Sequence, residues 1–172
     1  MEFVHRETYY LHPGYIYISR QQETIQTVLG SCVAVCLWDQ SQKCGGMNHF
    51  LYPVTREATN ATPRFGNVAI LALIKMMNEE GCRSEDLKAH ILGGGHPEGV
   101  TGESLGDQNV KIAREILKNK GISIIAEDVG GSVGRKIAFD VITGHVAVLK
   151  VHKVRKEDWH TEEYMKTPYE GR

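Results

Sequence analysis

The stretch TIQTVLGSCVAVCLWD, residues 24–39, decides the fold. From residue 32 to 38 its side chains alternate, with Val33, Val35 and Leu37 on one face and Ala34, Cys36 and Trp38 on the other. That period reads as a strand, and its composition as a buried one. Cys36 sits in the middle, where a small apolar thiol is at home in a core. Cys32 instead stands at the mouth of the strand, behind Gly30 and Ser31 and after a polar stretch. DQSQKCGG is turn-like, and residues 47–51 read as a returning strand. An antiparallel hairpin over 32–51 would bring Cys32 toward His49, Phe50 and Leu51.

On the N-terminal side of this hairpin, GYIYISRQ alternates Tyr15 and Tyr17 against Ile16 and Ile18, a half-buried strand. On the C-terminal side, residues 53–62 form a polar loop. Thr62-Pro63 is expected to start a helix that ends near Gly81, with Phe65, Val68, Ala69, Ala72, Leu73 and Met76 on one face. Lys88 to Leu92 reads as a short buried strand running into Gly93-Gly94-Gly95. A second helix, from about Ser104 to Lys120, turns Val110, Ala113, Ile116 and Leu117 inward and stops at Gly121. Strands follow at 122–127, 135–141 and 145–151, the last two joined through Thr143-Gly144. This order predicts a layered single domain of the α/β (α+β) class, with mixed β-sheets and two long helices. Its extent is expected to be residues 1–156, with 157–172 as a loosely held tail.

The 172 residues suit one domain, and 41% hydrophobic with 24% charged residues is ordinary globular composition. A net charge of −1 offers no broad basic field for nucleic acid or anionic lipid. The N-terminus shows no signal-peptide pattern and no apolar run is long enough to span a bilayer, so a cytoplasmic protein without membrane insertion is expected. The four cysteines are then expected to be reduced thiols.

A free thiol at a strand mouth, with a histidine downstream in GGMNHF, fits nucleophile and base. The imidazole would take the proton of Cys32 and later hand one to the leaving group. Gly30-Ser31 suits a tight turn whose N–H groups could form an oxyanion hole, and Thr27 is the nearest group to orient the His49 ring. On the residues alone, a small core thiol with a hydrogen-bonded strand histidine is the reading favoured over catalysis. A zinc site built from Cys32, Cys36, Cys44 and His49 is the other alternative, although the spacing lacks CxxC knuckles. ILGGGHPEGVTGESLG matches neither GxGxxG after Gly93 nor GxxxxGK[ST], so it reads as one wall of a cleft rather than a nucleotide loop. His96, Glu98, Arg135 and Lys136 read as surface residues.

TVLGSCVAVCLWD, GGMNHF and AEDVGGSVGRKIAFDVITG together resemble the chemoreceptor glutamine deamidase family, CheD. The resemblance runs from about Tyr15 to Val151. It implies a CheD-like sandwich and hydrolysis of particular glutamine side chains on methyl-accepting chemotaxis receptors, which yields glutamates. Removal of receptor methyl esters is also implied for some members. Cys32 falls on the family's nucleophile, His49 on its histidine and Thr27 on its threonine; some members place that threonine one position earlier, where this chain has Gln26. The implied partners are receptor cytoplasmic helices as substrate and a CheC-type phosphatase as regulator, with no cofactor or metal. The rival implied by the same partner is a non-catalytic binding module for the phosphatase or the receptor.

Overall fold

The structure, a computed structural model, describes residues 6–152; the expected tail from residue 157 lies outside them. The strands are β1 (Glu7–Tyr10), β2 (Ile16–Ser19), β3 (Glu23–Leu29), β4 (Val33–Asp39), β5 (Cys44–Asn48), β6 (Lys88–Gly93), β7 (Ser123–Val129), β8 (Gly134–Asp140) and β9 (Val146–Val151). Helices α1 (Gly66–Glu79) and α2 (Leu105–Asn119) flank β6 in the chain. One sheet has the order β1-β3-β8-β9 and the other β2-β5-β4-β6-β7. Among the described residues no helix is long and apolar enough to cross a membrane.

The alternation in β4 explains the layering. Val33, Val35 and Leu37 join Ala69, Ile70, Leu73 and Leu117 in a core between the five-stranded sheet and the helices. Ala34 and Cys36 join Ile25, Leu29, Ile137 and Phe139 in a second core between the two sheets. A strand buried on both faces reads as continuous apolar sequence, and this one sorts its residues by parity. The result is three layers: helices, five-stranded sheet, four-stranded sheet. β2 obeys the same rule, with Ile16 and Ile18 against the helix-side core and Tyr15 and Tyr17 against the inter-sheet core.

The expected hairpin is present. Cys36 pairs with Met47 in antiparallel register, and the same register continues to Val33 opposite Phe50. Two segments depart from expectation. The polar residues before Gly30 form β3, bonded to β1 on one side and to β8 on the other. Helix α1 begins at Gly66, with Phe65 as its N-cap and no side-chain cap, rather than at Thr62-Pro63. The reason is tertiary: Arg64 O accepts from the N–H groups of Leu51 and Tyr52, and Tyr52 bridges Phe65, which holds this entry extended. Helix α2 starts where expected, and Ser104 and Asp107 close a reciprocal capping box.

Cys36 is wholly buried between the sheets, and burial pushes its thiol pKa up. Cys36→Ala removes only the sulfur from this core, so a loss of about 1 kcal/mol is expected in urea unfolding, with activity retained.

Candidate active site

The three candidate residues come from both sheets. Thr27 is on β3 of the four-stranded sheet, with its side chain turned inward beside Ile25 and Leu29. Cys32 lies in the crossover from β3 to β4, partly exposed and packed against the inter-sheet core. His49 follows β5 and is wholly buried. The hairpin register sets Ala34 opposite His49, so Cys32 and His49 are diagonal neighbours on the inter-sheet face, a spacing long side chains can span.

Across the sandwich, Thr27 Oγ1 lies 2.7 Å from His49 Nδ1 and donates to Leu11 O at 2.8 Å. A hydroxyl has one hydrogen and a carbonyl only accepts. Thr27 therefore accepts from His49, which puts the ring proton on Nδ1 and the lone pair on Nε2. The main chain of His49 is clamped as well, donating to Tyr15 O and accepting from Gly14 N at 2.7 Å. Leu11 and the 12–15 turn thus hold the imidazole, and neither was marked in the sequence as part of a site. Gln26, at the alternative threonine position, pairs instead with Ala138 and is only half-buried.

Burial governs the charge states. It pushes the His49 pKa down from 6.5 to about 3, with a smaller contribution from His12, and pushes Cys32 up from 9.0 to about 11. The Cys32 backbone N–H partly opposes the latter. The resting pair is neutral thiol and neutral imidazole. For stability the sign is set by the state that binds the proton. Between pH 6.5 and about 3 the unfolded chain carries a proton on His49 that the folded chain does not. The contribution is intact above pH 6.5 and erodes as pH falls through that window, by up to about 1.4 kcal/mol per unit. Urea midpoints should therefore drop between pH 7 and pH 5 in the wild type, and drop less in His49→Gln.

The nucleophile turn is pinned through its carbonyls. Gly30 O accepts from Gly95 N at 2.9 Å, Cys32 O from Gly94 N at 2.8 Å, and Ser31 O from Asn109 Nδ2 at 3.0 Å. In a trans peptide the N–H points opposite to the preceding carbonyl. The Ser31 and Cys32 N–H groups are thereby turned away from the glycine loop and from α2. Gly93 has φ +106°, and a Cβ there would collide with the Cys32 carbonyl. A side chain at Gly106, in the first turn of α2, would strike the Gly94 and Gly95 carbonyls. The loop packs against the Cys32 turn, and the Gly94, Gly95 and His96 N–H groups are spent on protein carbonyls rather than on an anion.

Arg135 overturns its expected place on the surface. It is 2% exposed, donating from Nε to Asp128 at 2.9 Å and from Nη2 to Gly130 O at 2.8 Å, with Gly93 O and Val133 O at 3.4 Å. The carbonyls of two glycine turns need donors, and a guanidinium supplies several from one side chain. The zinc alternative fails on geometry. Cys44 lies in the helix-side core, 3.9 Å from Met77 Sδ, and Cys36 lies in the inter-sheet core, so β4 and β5 stand between them. Among the described residues no three His, Cys, Asp or Glu side chains converge as metal ligands.

The family model for CheD chemotactic sensory transduction matches residues 53–150. A protein of Sulfurimonas denitrificans named "Probable chemoreceptor glutamine deamidase CheD" is 39% identical over 86% of this chain and 96% of its own length. The chain belongs to the CheD family. A CheD of Rhodospirillum rubrum with the same name is 45% identical over 81% of this chain and 80% of its own. Among solved structures, the hypothetical protein YfiH of Bacillus licheniformis overlays with a TM-score of 0.43 at 13% identity, covering 68% of this chain and 49% of that one. The CheD family model begins beyond His49 and so covers neither Cys32 nor His49.

Proposed function

We propose that this protein is a chemoreceptor glutamine deamidase in which Cys32 is the nucleophile, His49 the base and Thr27 the residue that orients the ring. The observation that carries this reading is the Leu11–Thr27–His49 relay, which leaves the imidazole lone pair on Nε2 in a chain whose relatives bear the deamidase name. Cys32 Sγ attacks the side-chain carbonyl carbon of a receptor glutamine as its proton passes to His49 Nε2. Thiol and imidazole are each neutral at rest, so sulfur–carbon bond formation and proton transfer are coupled. The Ser31 and Cys32 N–H groups, at the Gly30-Ser31 turn, face the tetrahedral oxyanion. His49 returns the proton to the amide nitrogen, ammonia leaves, and a thioester remains. Water attacks it with His49 as base, and collapse releases glutamate and the thiol. A methyl ester has the same acyl carbon with methanol as leaving group, so the same sequence of steps would also serve receptor methyl esters.

Incubating the protein with a receptor cytoplasmic fragment and mapping glutamine-to-glutamate mass changes tests the reading. Unchanged glutamines alongside a stable complex would favour the binding-module alternative. A CheC-type phosphatase, the regulator this reading includes, should slow the reaction by covering Cys32. Thr27→Val removes the proton acceptor of Nδ1–H while keeping the shape of the side chain. It should lower kcat by roughly ten- to a hundredfold without changing KM, within the range of a misplaced general base.

A further inference from the structure

Helix α2 turns Gly106, Val110, Ala113 and Leu117 toward the protein interior, and Asn109 is on that same buried side. Asparagine is a weaker helix former than leucine, and a buried amide is costly unless its bonds are made. Asn109 is wholly buried, and its Oδ1 finds no hydrogen-bond partner among the described residues. A leucine would avoid both costs. Both amide hydrogens, however, are committed, to Ser31 O at 3.0 Å and to Leu51 O at 2.9 Å. These carbonyls stand at the two strand ends on either side of the Val33–Phe50 bridge, next to Cys32 and close to His49.

The Ser31 carbonyl shares a peptide plane with the Cys32 N–H, and the two point in opposite directions. Holding the carbonyl from α2 therefore aims the N–H, which belongs to the residue that carries the sulfur. We infer that Asn109 is a positioning residue, fixing the Ser31–Cys32 peptide plane so that the Cys32 N–H serves the sulfur and the oxyanion formed on attack. This inference rests on the reading of Cys32 as the nucleophile. Asn109 touches no reacting atom itself.

The test compares wild type, Asn109→Leu, Asn109→Ala and a structural control, Leu117→Ala, which leaves a void at the far end of the same buried side of α2. Two quantities are read: kcat and KM on a receptor fragment, and the rate of Cys32 alkylation by iodoacetamide at pH 8, which follows the thiolate fraction. Both Asn109 variants should lose about ten- to a hundredfold in kcat at unchanged KM, a part of the usual cost of a lost oxyanion donor. They should also alkylate several-fold more slowly, while Leu117→Ala moves neither quantity. Wild-type values in either Asn109 variant, or losses that merely match those of Leu117→Ala, overturn the inference. So does failure of both Asn109 variants to fold while Leu117→Ala folds, since the residue would then serve the fold alone. If the wild type leaves receptor glutamines untouched, the deamidase reading fails, and the alkylation comparison still decides whether Asn109 aims the Cys32 N–H.

Discussion

Cys32→Ala is expected to leave receptor glutamines intact, with kcat reduced on the order of 10⁴- to 10⁶-fold, the scale set by removing a nucleophile that works as a unit with its base. No other thiol can substitute. Cys36 lies deeper on the same face with its thiolate strongly disfavoured, while Cys44 and Cys82 are buried in the helix-side core. His49→Gln should be nearly as damaging, because ammonia does not leave without a proton and Nε2 is its proposed donor. The double variant should be little worse than either single one, since each disables the same step. Binding of the receptor fragment should survive in all three. Mass mapping at the glutamines checks the rate and a pull-down checks the binding; appreciable turnover by Cys32→Ala would remove the sulfur from the chemistry.

Arg135→Leu should cost about 3 kcal/mol, read as a shift in the urea midpoint at unchanged slope or a fall in melting temperature of roughly 10 °C. Asp128 keeps Lys150 at 3.6 Å and remains partly exposed, so it is not left alone. The larger cost comes from the carbonyls of Gly93, Gly130 and Val133, which lose a shared buried donor. Because Gly93 is pressed against the Cys32 carbonyl, a share of activity should be lost as well. A shift below about 1 kcal/mol would mean that water replaces the guanidinium there.

The alternation of residues 32–38, the hairpin that follows and the second helix were legible because each is a local periodic signal. β1 and β3 were not. Glu7–Tyr10 is mostly exposed, and Glu23–Leu29 carries Thr24, Gln26 and Thr27 among its apolar residues, so neither reads as core. The start of α1 went astray because a local proline cue lost to pairing between residues distant in the chain. Within the site, Cys32, His49 and Thr27 could be picked out by residue type and by family resemblance, and the structure adds the 2.7 Å contact between the last two. Leu11 acts through its carbonyl, which every residue possesses, and so leaves no mark in the letters. Asn109 and Arg135 were missed for a related reason. An apolar stripe is counted without its one amide, and an arginine after two glycines reads as a solvated turn until the Gly93 carbonyl is brought to it from 42 residues away.

The bond between Thr27 and His49 joins one sheet to the other, so on the proposed reading chemical competence depends on both sheets being in place. The 32–51 hairpin by itself sets Cys32 and His49 on one face but offers the ring no Thr27, so the ring's orientation and tautomer stay open. Only when the second sheet closes over the first does the imidazole acquire a fixed acceptor for its proton. On the proposed reading, the rate of the finished reaction doubles as a gauge of how completely the sandwich has shut.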